Sequence, residues 1–168
     1  RCRLVGSEMC IRDRLMSAAP FKESYMPLKY LTQSSRNADI SSHKPSVSAA
    51  QFQQLLRRCS LGERRPTDDI LRLKAMLDNS DLVVSAWDGD TLIGIARSVT
   101  DFHYCCYLSD LAVDERYQRQ GVGKSLIEQS EQALAAGCKL ILIAAPTAND
   151  YYAPLGFEAN RRCWVKAC

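Results

Sequence analysis

The feature that most constrains the fold is a pair of β-branched and apolar runs, residues 82–87 and 91–99, separated by an Asp-Gly-Asp sequence at 88–90. Glycine readily adopts the positive φ angle of tight hairpin turns, so this pattern predicts two antiparallel strands joined by a short turn. Residues 106–113 predict a third strand, and residues 140–144 predict a buried strand further along the chain. A β-sheet is therefore expected at the centre of the domain.

Helical periodicity appears on both sides of these strands. Residues 46–59 form the first predicted helix with Ser48 as N-cap, and Thr67 is the predicted N-cap of a second helix. A third helix is predicted over residues 121–136 and ended by Gly137. The apolar positions of the three helices are Phe52, Leu55, Leu56 and Cys59, then Ile70, Leu73 and Leu77, then Val122, Leu126, Ile127, Ala133 and Leu134.

Three shorter elements complete the pattern. A first strand is predicted at residues 38–44, a short helix at 148–153 and a closing hairpin at 157–165. Helices and strands then follow in the order ααββ, βαβα and ββ, which favours an α/β fold with a sheet covered by helices.

Composition limits the class of protein. The 168 residues are 46% hydrophobic and carry a net charge of +3 without a run of five or more like charges, so a nucleic-acid binder is not indicated. The eight cysteines include no C-x-x-C pair and no cysteine and histidine spacing that suits zinc, so no metal is predicted. No stretch is apolar enough to span a bilayer, and we expect a cytoplasmic protein with reduced cysteines.

The sequence also suggests where the domain lies. Residues 1–14 resemble a translated sequencing adapter and are predicted to be non-native. Residues 15–37 show no sustained period and are predicted to be an extended or disordered lead-in. The globular domain is expected over residues 38–168.

The loop between the third strand and the third helix carries the main functional signal. Glycines at a helix start let the backbone approach a ligand, and the free N–H groups there attract phosphate. A nucleotide P-loop would need glycine at position 118, which is Gln118, and a dinucleotide fingerprint would need glycine at Leu126. The pattern Q/R-x-x-G-x-G/A is filled completely by Gln118, Gly121 and Gly123.

That pattern resembles the pyrophosphate loop of the GNAT superfamily of N-acetyltransferases, which follows a strand often ending in Leu-Ala-Val, as Leu111-Ala112-Val113 does here. The later block Ala148-x-x-Tyr151-Tyr152-x-x-Leu155-Gly156-Phe157 is similar to the family's A-x-x-F-Y-x-x-L-G-F block. The resemblance covers about residues 38–168. It implies a GNAT fold: a central, mixed, mostly antiparallel sheet flanked by α-helices, with two splayed strands that bind the cofactor.

The resemblance also implies the acyl donor and its binding residues. Acetyl-coenzyme A would place its pantetheine arm beside the strand that ends at Val113 and its diphosphate on the loop amides. Tyr152 matches the tyrosine that protonates the departing thiolate, and Tyr151 takes a phenylalanine position expected to serve packing. The cofactor-binding residues implied in this way are Leu111, Ala112, Val113, Gln118, Arg119, Gln120, Gly121, Val122, Gly123, Lys124, Ser125, Asn149 and Tyr152.

Two further residues bear on the mechanism. Strand alternation places Asp110 on the face of Cys106 and Leu108, and apolar surroundings favour the uncharged form of a carboxyl group, so Asp110 is the candidate base. A structural aspartate bonded to loop amides is the alternative, and a water chain would remove the need for a base. Ala145 stands where relatives often carry asparagine, so Asn149 is the candidate substitute.

Direct transfer of an acetyl group to an amine, with Tyr152 as general acid, is therefore the predicted activity. A non-catalytic acyl-coenzyme A sensor is the alternative, and a nucleotide phosphotransferase built on Gly123-Lys124-Ser125 is a third, weaker one. The acceptor is a small-molecule or protein amine, selected by the charged residues Glu63, Arg64 and Arg65 or by Tyr104 and Tyr107. Neither a nucleic-acid nor a membrane partner is expected, and both a monomer and a homodimer remain open.

Overall fold

A single sheet organises the part of the chain that the computed structural model describes, residues 27–37 and 47–166. Its strands lie in sequence order, β1-β2-β3-β4-β5. Neighbours are antiparallel from β1 to β4, and β5 runs parallel to β4. This confirms the prediction of a mixed, mostly antiparallel sheet. The strands are β1 (Lys29–Ser34), β2 (Leu82–Asp88), β3 (Thr91–Thr100), β4 (Cys105–Val113) and β5 (Lys139–Ile141).

The hairpin at the centre of the sheet forms as its turn sequence predicts. Strands β2 and β3 pair from Leu82↔Ser98 to Asp88↔Thr91, and Gly89 adopts a φ of 55° in the turn. All six residues of β2 before Asp88 are buried, because helices cover both faces of the sheet at this position. The hairpin is thus a core element with no solvent-facing side.

The first strand lies earlier in the chain than the sequence suggested. Strand β1 belongs to the segment predicted as an extended or disordered lead-in, yet all its residues pair with β2, from Lys29↔Trp87 to Ser34↔Leu82. The boundary at residue 38 is therefore too late for the sheet. The predicted strand at residues 38–44 lies outside the described residues, as do residues 1–14.

Helices cover the two faces of the sheet. The pair α1 (Ala49–Leu56) and α2 (Ile70–Asp78) packs Phe52, Leu55, Leu56, Leu73 and Leu77 against Val83, Ile95 and Ala112. Helix α3 (Val122–Gln132) packs Val122, Leu126 and Ile127 against the opposite face. None of the helices in the described ranges has the length and apolar character that crossing a membrane requires.

The helix starts show one correct prediction and one error. Ser48 caps α1 through a full capping box, in which its hydroxyl accepts from the Gln51 N–H and its own N–H donates to the Gln51 side chain. For α2 the predicted cap Thr67 is wrong. Asp69 is the N-cap, accepting from the Arg72 N–H at 2.9 Å, while the Thr67 carbonyl accepts from Gln53.

The region after α3 departs most from the sequence prediction. Helix α3 ends at Gln132, so Gly137 lies in a later turn and is not its cap. Strand β5 has only three residues, two of them exposed, because it is the edge of the described sheet. A short helix α4 (Asn149–Tyr152) follows as predicted. The predicted hairpin at 157–165 is wrong, since residues 157–166 contain no strand.

The cap of α2 gives a direct stability test. Asp69→Ala should lower the free energy of unfolding by about 1 kcal/mol, because a helix N–H loses its acceptor and the helix dipole loses a negative charge. Thr67→Ala is the matched control and should change stability by less than about 0.5 kcal/mol. Chemical denaturation of both variants measures the free energy of unfolding. An equal loss of stability in the two variants would contradict the assignment of Asp69 as the cap.

Candidate functional site

A fork between β4 and β5 is the first component of the site. The two strands pair only through Cys105↔Lys139, Cys106↔Leu140 and Tyr107↔Ile141. On its other side β4 continues to pair with β3 as far as Val113↔Gly94. Within the described residues, β4 therefore has one unpaired edge from residue 108 to 113.

A β-bulge lies at the base of this fork. Arg97 pairs with Asp110 and Ser98 pairs with Leu108, so Ser109 is an extra residue on β4. Such an insertion bends a strand and reverses which residues face each side of the sheet. Accordingly, Leu108 packs with the α3 face whereas Ala112 packs with the α1–α2 face.

The unpaired edge presents backbone groups of Leu111 and Val113. Asp114 donates its N–H to the Ile93 carbonyl at 2.9 Å, which makes Asp114 a residue that faces β3. Backbone groups alternate sides along an antiparallel strand, so those of Val113 and Leu111 point into the fork. The Val113 carbonyl accepts the Gln118 side-chain amide at 3.1 Å, consistent with this direction.

The second component of the site is the loop that leads into α3. Arg119 and Gly121 have φ angles of 60° and 85°, and Gly121 is the N-cap without a side-chain acceptor. Among the described residues no hydrogen bond is made by the N–H groups of 119–124, whereas the Ser125 N–H donates to Gly121. Residues 118–121 are exposed, and a methyl group on Gly121 would meet nothing within 4 Å. We call residues 119–124 the amide cradle.

Buried charge holds the amide cradle in place from below. Asp114 is only 1% exposed. It forms an ion pair with Arg58, whose Nε lies 2.7 Å from the carboxylate, and it accepts a hydrogen bond from Arg116 Nη2 at 2.9 Å. The Tyr117 hydroxyl donates to Asp88 in the hairpin turn at 2.5 Å. The loop therefore starts from a point fixed to both α1 and the β2–β3 hairpin.

The titration of Asp114 follows from these contacts. The hydrogen bond from the Arg116 guanidinium holds the pKa of Asp114 below its ordinary value. A carboxyl group whose pKa is lowered by folding stabilises the fold above its unfolded-state pKa. This contribution is present at neutral pH and is lost only as the pH falls through the folded-state pKa.

Asp110 does not have the surroundings that strand alternation predicts. Its side chain is fully buried and accepts from Arg65 Nε and Arg97 Nε, each at 2.5 Å. The bulge at Ser109 turns Asp110 away from the apolar side of Cys106 and Leu108, which explains the error.

The two arginines also bind the bulge itself. Arg65 Nη2 donates to the Ser109 carbonyl at 2.7 Å, and Arg97 Nη2 donates to its hydroxyl at 2.8 Å. We call Arg65, Arg97, Ser109 and Asp110 the bulge network. Since both carboxylate oxygens of Asp110 are paired with guanidinium groups and its side chain has no exposed surface, the structure does not support Asp110 as the base.

Comparisons with known proteins show the family to which the chain belongs. Residues 63–166 match the family described as "Acetyltransferase (GNAT) domain". The chain belongs to the GNAT acetyltransferase family. This confirms the family predicted from the loop and the Tyr151-Tyr152 block.

Curated GNAT relatives match part of the chain. It is 34% identical to GCN5-related N-acetyltransferase 2, chloroplastic, of Arabidopsis thaliana, over 58% of this chain and 45% of that protein. Identity to the histone acetyltransferase TAP1 of Glycine max is 34%, over 58% and 46%. The chain thus spans less than half the length of these two relatives.

Solved structures of acetyltransferases share the fold. A probable acetyltransferase from Staphylococcus aureus superposes with a TM-score of 0.64 and 19% identity, over 84% of this chain and 100% of that one. An aminoglycoside N-acetyltransferase in complex with CoA gives a TM-score of 0.58 and 18% identity, over 84% and 96%. At such identities the likeness concerns the fold alone.

The two tyrosines of the GNAT block lie on α4. The Tyr152 ring packs edge-on against Phe157, with centroids 5.6 Å apart, and edge-on against Tyr151 at 5.2 Å. Burial raises the pKa of Tyr152, and the Arg64 charge partly opposes this rise. Asn149 is exposed at the first residue of α4. No group of metal-ligating side chains is found within the described ranges.

The residues proposed to select an acceptor differ in how available their side chains are. Arg65 is committed to the bulge network, so its guanidinium is not available to a substrate. Glu63 and Arg64 are exposed at the end of the short 3₁₀ helix Ser60–Arg64. Tyr107 is 40% exposed at the last paired position of the fork, whereas Tyr104 is 69% exposed beside the Lys139 ammonium.

The amide cradle predicts a ligand-dependent stability. Acetyl-coenzyme A at about 100 times its Kd should add about 2.7 kcal/mol to the free energy of unfolding. Gly121→Glu should abolish this gain, because a carboxylate would stand among the amides. Gly137→Glu is the control, since Gly137 has the same φ of 85° and equally open surroundings in a different turn. Thermal unfolding with and without ligand measures the gain, and a gain retained in Gly121→Glu would contradict the cradle.

Proposed function

We propose that this chain transfers an acetyl group from acetyl-coenzyme A to an amine. The observation that carries the proposal is the position of the amide cradle. A run of unbonded N–H groups stands at the positive end of α3, directly beside the unpaired edge of β4. A diphosphate joined to an amide-containing arm would match both features at once.

The cradle fits a diphosphate in charge and in space. Backbone N–H groups and the helix dipole provide positive potential without the desolvation cost of a buried cation. Gly121 leaves open space above the amides, so phosphate oxygens can approach to hydrogen-bonding distance. Arg119 is exposed at the rim, and Lys124 lies 3.6 Å from Glu128, a loose pair that leaves its charge available.

The fork fits the pantetheine arm. Backbone groups of Leu111 and Val113 point into it, and the amides of the arm would pair with them as a neighbouring strand would. The Val113 carbonyl is already used by Gln118, which leaves its second lone pair and the Val113 N–H for the arm. Asn149 and Ser125 are the remaining polar side chains proposed to contact the donor.

Bound acetyl-coenzyme A supplies the thioester that the amine attacks. We propose that Tyr152 then donates its phenolic proton to the departing sulfur. Because burial raises the pKa of Tyr152, the hydroxyl keeps its proton at neutral pH and acts as an acid. A thiolate is basic enough to accept a proton as it forms.

The amine must lose a proton before or during attack. With Asp110 held by two arginines, we propose that water in the fork accepts this proton. The bulge network then has a positional role, since it fixes the 3₁₀ helix Ser60–Arg64 to the bulge through Arg65. Glu63 and Arg64 are thereby held at the side of the fork where an acceptor would enter.

We propose a small-molecule or protein amine as the acceptor and the cytoplasm as the compartment. Small-molecule and protein amines are both compatible with the open fork. Five described cysteines, Cys59, Cys105, Cys106, Cys138 and Cys163, carry free thiols, which favours a reducing compartment such as the cytoplasm.

Replacement of the acid tests the proposed mechanism. Tyr152→Phe should lower kcat by at least about tenfold while leaving the Kd for acetyl-coenzyme A within about twofold, because only the proton transfer is lost. Tyr30→Phe, on β1 at the other edge of the sheet, is the control and should leave kcat unchanged. Release of free thiol with a panel of amines measures turnover. Unchanged kcat in Tyr152→Phe would remove Tyr152 from the mechanism, and absent turnover with intact binding would favour the sensor alternative.

A further inference from the structure

Tyr151, assigned to packing by its position in the sequence, has its hydroxyl at the amide cradle. A methyl group built on Gly123 would lie 2.6 Å from the Tyr151 hydroxyl oxygen and 3.7 Å from Val113 Cγ2. The hydroxyl therefore stands above the first turn of α3, at the junction between the amide cradle and the fork. It lies at the opposite end of the unpaired β4 edge from the bulge at Ser109.

The ring of Tyr151 is oriented while its hydroxyl is not engaged. The ring packs edge-on against Tyr152 with centroids 5.2 Å apart, and it is 41% exposed. Within the described part of the chain, the Tyr151 hydroxyl makes no hydrogen bond. Burial raises the pKa of Tyr151, so the group is a hydrogen-bond donor at neutral pH.

We infer that the Tyr151 hydroxyl is a further binding group for the acyl donor, donating a hydrogen bond to its diphosphate beside the Gly123 amide. The inference rests on the proposed function, and it assigns Tyr151 and Tyr152 separate roles on one helix. Tyr152 donates a proton to the departing sulfur, whereas Tyr151 donates a hydrogen bond to the diphosphate. Phenylalanine in this position would offer the ring without the donor.

Donors that lack parts of the phosphate end provide the test. Tyr151→Phe should raise the KM for acetyl-coenzyme A, and the Kd for coenzyme A by calorimetry, on the order of tenfold, because a hydrogen bond to a charged group is lost. With S-acetylpantetheine, which has no diphosphate, wild type and Tyr151→Phe should have equal kinetic constants. Expected kcat values are unchanged throughout.

Gly123 supplies an independent arm of the experiment. Gly123→Ala should weaken coenzyme A binding strongly, because its methyl group would displace the Tyr151 hydroxyl. The nearest Tyr151 ring atom, Cζ, is 3.5 Å from the same point, an ordinary contact, so Tyr151→Phe should relieve the clash. In the double variant the two penalties should therefore be less than additive, as a double-mutant cycle measures.

Several results would overturn the inference. An equal penalty with acetyl-coenzyme A and S-acetylpantetheine, or a loss confined to kcat, would place Tyr151 at the thioester. An unchanged or tighter Kd in Tyr151→Phe would make the hydroxyl a bystander or an obstruction. The melting temperature of each variant verifies folding, and folded wild type that binds no coenzyme A would defeat the proposed function rather than this inference alone.

Discussion

The functional region depends on backbone groups that the protein leaves unpaired. A sheet rarely tolerates unsatisfied N–H and C=O groups, yet β4 has an open edge beyond Tyr107, and residues 119–124 leave their amides unbonded within the described structure. Both sets lie at the start of α3 and the adjoining end of β4. Leu111, Val113 and the residues of 119–124 other than the buried Val122 are exposed to solvent or partly so. Water can satisfy them in the free protein, and a ligand of complementary shape can replace that water.

Buried charge keeps this open arrangement from closing. The bulge network satisfies the extra residue of β4 with side-chain donors, so the strand can bend without losing its partner β3. Arg97 and Asp110 are 6% and 1% exposed, and removing one partner of a buried pair typically costs about 3–5 kcal/mol. Asp114 and its partners Arg58 and Arg116 form a second buried group of charges, which fixes the loop that leads into the amide cradle. The unpaired edge of β4 and the amide cradle are therefore each preceded by residues that buried ion pairs hold in place.

Much of this was readable in the sequence because it rests on local patterns. The Asp-Gly-Asp turn fixed the hairpin, Ser48 marked a helix start, and Gln118, Gly121 and Gly123 located the loop. Glycine spacing and strand periodicity depend on neighbouring residues only, so they can be recognised from a single sequence.

The rest required long-range contacts. A bulge at Ser109 reverses the face of Asp110, and no local signal announces an inserted residue. The pairing of Asp110 with Arg65 and Arg97 joins residues up to 45 positions apart. Strand β1 was missed because its pattern is weak, and it is stabilised by pairing with β2 rather than by its own propensity. The position of the Tyr151 hydroxyl likewise depends on how α4 packs beside Gly123.

Residue-level amide hydrogen exchange tests the central claim most directly. In the free protein, the N–H groups of residues 119–121, 123 and 124 should exchange rapidly, because they lack acceptors and these residues are exposed or partly exposed. Saturation with coenzyme A should slow them by about tenfold or more while leaving the exposed turn at Gly137 unchanged. Slow exchange without ligand would show that the amides are already bonded, and unaltered exchange at saturation would show that the diphosphate binds elsewhere.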